Sequence, residues 1–208
     1  MRSRRLSASF QQLAWANLAA QSAEQLSLSA VPLVAVLLLG AGPGDIGALA
    51  TAQTLPFLLL SIPFGLAADR LSKRRLMVGA ELLRAASLVG LLATVLWGHL
   101  SLGWLGALGF LGAVGTVAFS VAAPALVPAL VPRGALAQAN GRLELARSVA
   151  FTAGPALAGA LVAWAGASAA FVLAAMLSAV AAGLLLRLPE SVPATPPMGA
   201  SATSVGAA

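Results

Sequence analysis

Six apolar runs, each near the ~20 residues needed to cross a bilayer, decide what this chain can fold into. They cover residues 16–39, 46–68, 76–96, 103–126, 145–164 and 167–186. The runs are long and lack the every-second-residue alternation of barrel strands, so helices are expected. Of all residues, 60% are hydrophobic and only 9% charged, where a soluble domain is about a quarter charged. Most of the surface must therefore face something other than water, which argues against a soluble all-α protein with an oversized core. The reading is an all-α membrane protein whose first partner is the lipid bilayer. Residues 1–190 form the six-helix bundle and residues 191–208 a tail.

The charges are confined to the short links. Residues 69–75 alone carry five of the eighteen formal charges, from Asp69 to Arg75. The net charge of +6 could suggest nucleic acid, but basic residues restricted to a few links are explained by membrane topology, so no nucleic-acid partner is expected. With the N-terminus placed in the cytoplasm, eleven of the twelve Lys and Arg fall on that side: Arg2, Arg4 and Arg5, then Arg70, Lys73, Arg74 and Arg75, then Arg133, Arg142 and Arg147, and finally Arg187. The twelfth, Arg84, lies a few turns into the third run, while the outer links around Pro43, His99 and Ala165 hold none. This asymmetry predicts a multi-pass cell-membrane protein with both termini cytoplasmic. Trp97, Trp104 and Trp164 fall at the outer interface and Trp15 near the inner one, as an aromatic belt requires. A cleaved signal peptide does not fit, because the strongly apolar stretch starts only near Leu26 and Glu24 interrupts the approach to it. There are no cysteines, which removes disulfides, thiolate metal sites and thiol nucleophiles.

Small residues crowd the runs. Gly103, Gly106, Gly109, Gly112 and Gly115 recur at every third position of the fourth. Such residues let helices approach closely in lipid, and a three-residue spacing winds around the helix, so contact with more than one neighbour is expected. From Ser191 the chain turns to Pro, Gly, Ser, Ala and Thr, a composition expected to be a disordered cytoplasmic tail with no seventh helix.

The link after the second run holds Gly65, Asp69, Arg70, Lys73 and Arg74. This resembles the signature between the second and third helices of the major facilitator superfamily: a glycine, an Asp-Arg pair four residues on, then a second glycine and two basic residues. Ser72 stands where the family usually has that second glycine. Physically, Gly65 permits close helix contact, Asp69 can cap the next turn, and the cations anchor the link at the interface. The resemblance implies a further role, a charged latch that holds two halves of a transporter in one state. For Lys73, Arg74 and Arg75 a plain anchor is an equally good reading.

Gly154-Pro155 with Gly159 is similar to the antiporter signature of the fifth helix in exporters of that superfamily, with Ala150 and Ala158 standing where the pattern has further glycines. Pro155 removes a backbone hydrogen bond and bends the helix. The stretch 130–148 also resembles the loop before the fifth helix in the branch that includes siderophore exporters. Its Arg142, Glu144 and Arg147 are candidates for a breakable cytoplasmic lock with Asp69 and Arg70.

Three acids remain. Glu24, between Gln21 and Gln25, lies roughly 12 Å into the first run at 1.5 Å per residue. A carboxylate at that depth is costly, which makes it a functional candidate. It could load and release a proton, and Gln21 and Gln25 could bind polar substrate groups. Glu81 has Arg84 three residues on, a helical neighbour, and reads as a structural ion pair. Asp45 reads as the N-cap of the second helix.

Enzymatic readings find no support in motifs. There is no nucleophile elbow, zinc-binding His pair or phosphate loop, and His99, the only histidine, lies in an outer link. The embedded Ser and His of a rhomboid-type protease are missing too. No cofactor or metal is implied. The resemblance implies instead six helices arranged as two inverted three-helix repeats, half of a twelve-helix major facilitator fold. The implied activity is proton-coupled export of a small molecule by alternating access, with this chain as the N-terminal half. The other wall of the cavity would come from a C-terminal half or a second six-helix subunit. A truncated or accessory membrane protein without transport of its own is the alternative.

Overall fold

A computed structural model of the chain describes residues 7–189. Arg2, Arg4, Arg5, Glu190 and the expected tail 191–208 lie outside the described residues. The described residues form six helices: α1 (Ala8–Leu39), α2 (Pro43–Arg70), α3 (Lys73–Leu96), α4 (Leu102–Leu130), α5 (Leu136–Ala165) and α6 (Ala167–Leu186). A single 3-10 turn, Arg133–Ala135, precedes α5. All six helices are long and apolar enough to cross a membrane.

Five helices outrun their apolar runs, and the reason is local in each case. Hydropathy marks the stretch that tolerates lipid, whereas a helix continues for as long as propensity and capping allow. α1 starts at Ala8 because Ser7 accepts a hydrogen bond from the Phe10 amide at 3.2 Å. The added turns bury Phe10 and Leu13 completely. α2 starts at Pro43, whose fixed φ and missing N–H suit the first helical position. Asp45 is therefore not the N-cap expected from the sequence. Gly42 holds that position, and Asp45 reaches back to accept from the Gly42 amide at 2.9 Å. Asp69 and Arg70 form the last turn of α2 rather than a loop, and the link to α3 is only Leu71 and Ser72. Ser72 caps α3. The largest shift is at α5, which begins at Leu136, so Arg142, Glu144 and Arg147 belong to its first turns and not to a preceding loop. The residues there are mostly good helix formers, and their polarity had hidden the helix.

Two apolar clusters stack along the bundle. One gathers Phe10, Leu13, Met77, Phe119, Leu126 and Leu185, at the start of α1 and α3 and the end of α4 and α6. The other gathers Leu26, Val34, Leu91, Leu105, Val162 and Phe171, at the opposite ends. Successive helices thus run antiparallel. The packing partners also exchange in a regular way. α1 lies against α5 and α6, as α4 lies against α2 and α3, and α3 meets α6. Exchanging the first three helices with the last three reproduces this pattern, as two inverted three-helix repeats require.

The glycines of α4 show how close the helices come. A Cβ on Gly106 or Gly109 would meet Leu49 or Gln53 of α2, and one on Gly112 or Gly115 would meet Ser87 or Ala80 of α3. The winding ridge therefore serves two neighbours, as its spacing predicts. At Gly115 the clash would be with the backbone carbonyl of Ala80 at 2.5 Å, which cannot move aside.

α2 and α5 are the least covered helices. Leu58 and Ile62 on α2 and Phe151 on α5 are exposed by 80%, 76% and 67%. Every described Lys and Arg except Arg84 lies toward the end of the bundle that holds Phe10. Trp97, Trp104 and Trp164 are exposed at the far end, and Trp15 near the basic end.

Candidate functional site

Between the two apolar clusters the bundle is polar. Glu81 and Arg84 of α3, fully and almost fully buried, form an ion pair. The pair is structural, as its three-residue spacing predicts, but Arg84 does more than neutralise its neighbour. Its Nη1 also donates to the Ala20 carbonyl of α1 at 3.3 Å, and its Nη2 donates to the Thr116 hydroxyl of α4 at 2.8 Å. One guanidinium thus ties three helices together, a use that suits its fixed fan of donors. The Ser178 hydroxyl of α6 is fully buried in the same bundle.

Beside this layer opens a cleft of about 330 Å³ between α1, α4 and α5, with Phe57 of α2 at its edge. α1 contributes Asn17, Gln21 and Glu24; α5 contributes Asn140, Glu144 and Arg147. Both sets follow the same spacing, four residues and then three, which aligns them on one helix face. Two polar stripes therefore line one cavity. The α1 stripe is held to α5 by the Asn17 side chain, which donates to the Leu143 carbonyl at 3.2 Å. Thr116 and Ser120 of α4 complete the polar wall.

Glu24 stands where this cleft meets a narrower recess of about 30 Å³ that reaches Arg84 and Gln53. That space suffices for about one water. Arg147 lines the cleft with Glu24, and Arg84 lines the recess with it. With α1 starting at Ala8, Glu24 lies about 24 Å along the helix at 1.5 Å per residue, between the two apolar clusters.

The other expected site residues separate. Gln21 shares the cleft with Glu24, but Gln25 turns to α5, where a Cβ on Gly154 would meet the Gln25 Cβ at 2.5 Å. Gly154 continues a buried ridge of α5 with Ala150, Ala158 and Val162. The two alanines that replace glycines are thus on the contact face. Gly159 is not: a Cβ there meets nothing within 4 Å, and Pro155 is exposed. A Cβ on Gly65 likewise meets no atom within 4 Å among the described residues. Asp69 and Arg70 are exposed, Lys73 is half-buried, and Arg74 donates to the Leu186 carbonyl at 2.6 Å, joining α3 to α6. Among the described residues, no ion pair joins Asp69 or Arg70 to Arg142, Glu144 or Arg147. Arg142 is exposed, and Glu144 and Arg147 line the cleft.

Asn17, Asn140, Thr116 and Ser120 escaped the sequence reading. The signal was present in the repeated four-then-three spacing of polar side chains within otherwise apolar helices.

The family model described as Major Facilitator Superfamily matches residues 13–205. The chain belongs to that superfamily. Its six helices in two inverted repeats form half of the twelve-helix fold, and its members are membrane transporters. The chain is accordingly a multi-pass membrane protein of a transport family. A comparison with curated proteins gives no match.

Proposed function

We propose that the chain is the N-terminal half of a proton-coupled exporter of the drug and siderophore branch, working by alternating access in the cell membrane with both termini cytoplasmic. The observation that carries this reading is the position of Glu24. A carboxylate at mid-depth, at the inner end of a polar cleft and between two arginines, can exchange a proton with the cavity and feel the arrival of a charged substrate. Glu24 and Glu144 against Arg147 give the cleft wall an excess of acid, which favours a cationic or neutral small molecule over an anion. A second six-helix half closes the cavity over the exposed flanks of α2 and α5, where Leu58, Ile62 and Phe151 are uncovered. The charged stretch Asp69–Arg74 then latches the halves, and the small-residue face of α5 keeps that helix close to α1.

The test uses everted vesicles from cells that produce the chain in their own membrane, energised by respiration and supplied with ethidium. Uptake that collapses with an uncoupler, and with Glu24→Gln at unchanged protein level, supports the reading. Uptake that ignores both overturns the coupling role of Glu24.

A further inference from the structure

Two apolar grooves of about 440 Å³ each run along the outside of the bundle at its basic end, one on either side of α3. The first lies toward α2 and α4, between Phe64, Leu76, Leu83 and Val114. The second lies toward α6, between Val78, Leu82 and Leu186. The two share only Arg75 and Gly79. Arg75 is exposed at the first turn of α3, with Arg74 beside it at the head of the second groove. One turn deeper, Gly79 leaves open space: a Cβ there meets no atom within 4 Å.

We infer that this is a binding site for one anionic diacyl phospholipid, its phosphate on Arg75 and one acyl chain in each groove astride α3. Charge complementarity selects the headgroup, because cations clustered at a helix end next to lipid attract anionic lipids. The branching of two grooves from one cation selects a two-chain ligand over a fatty acid or a free phosphate. A guanidinium carries five donors, so Arg75 can serve the phosphate alongside its interactions within the protein. None of these residues lines the central cleft, so the site is independent of substrate binding.

The test is native mass spectrometry of the purified chain in detergent, incubated with equal amounts of dioleoyl phosphatidylglycerol and dioleoyl phosphatidylcholine. One retained phosphatidylglycerol, preferred by about thirtyfold as two surface cations would give, is the expected result. Arg75→Gln cuts the preference to about fivefold, the share of the remaining Arg74, and leaves phosphatidylcholine retention unchanged. Gly79→Phe fills the fork and lowers retention of both lipids, with circular dichroism confirming the fold. Lysophosphatidylglycerol, with the same headgroup and one chain, is held less well than the diacyl form. Equal retention of the two diacyl lipids, or an undiminished preference in Arg75→Gln, reduces the grooves to ordinary annular surface and overturns the assignment.

Discussion

The Arg84 guanidinium on α3 donates to the Thr116 hydroxyl on α4 at 2.8 Å while it holds the Glu81 carboxylate one turn back. With its bond to the Ala20 carbonyl of α1, this one side chain ties three helices together. Removing it strands a fully buried carboxylate. Arg84→Met is therefore expected to cost about 3–5 kcal/mol, as for other broken buried pairs. Glu81→Gln in the same chain should restore much of the loss, because the stranded charge is gone. Unfolding in mixed micelles, followed by circular dichroism over the four-member cycle, measures the coupling. Additive single effects would show that the pair contributes no specific stability.

Close helix approach makes a second prediction sharp. Gly115→Ala drives a methyl against the Ala80 carbonyl, and Gly154→Ala drives one against Gln25. Each should cost about 1–3 kcal/mol by overpacking. Gly159→Ala enters open space and should stay within about 0.5 kcal/mol of the parent. Melting temperatures in detergent rank the three variants. A loss at Gly159 equal to that at Gly154 would point to a contact made outside this chain.

Glu24→Gln is expected to abolish pH-gradient-driven transport while insertion and fold are retained, since glutamine keeps the shape and polarity of the side chain without a titrating proton. Transport assayed across a series of imposed gradients reads this directly. An unchanged dependence on the gradient would remove Glu24 from the coupling path.

Asp69→Asn should slow the transport cycle without reducing the amount of protein in the membrane. Asp69 is exposed at the end of α2 and has no ion-pair partner among the described residues, so its loss leaves the fold of this half untouched. A wild-type rate would leave the stretch as a membrane anchor and no more.

The number of helices, their order and the clustering of positive charge at one end were legible in the chain because they depend on local averages. A run of some twenty apolar residues forms a helix in lipid whatever it packs against, and the link charges follow from solvation. Helix ends were less legible. The start of α5 was read as a loop because Arg142, Glu144 and Arg147 are polar, although polarity does not break a helix.

The site divides along the same line. The sequence by itself determined that Glu24 is an acid set within the first membrane-spanning helix and that Glu81 and Arg84 pair, because both follow from position and spacing on a single helix. Only the tertiary structure decided that Gln21 joins Glu24 while Gln25 packs beneath Gly154, that Asn140, Glu144 and Arg147 face Asn17, Gln21 and Glu24 across one cleft, and that Arg84 reaches both α1 and α4. Those facts depend on how each helix is rotated about its axis. The rotation is set by which small residues let the backbones approach, and an apolar helix, alike on all its faces, does not announce it in advance.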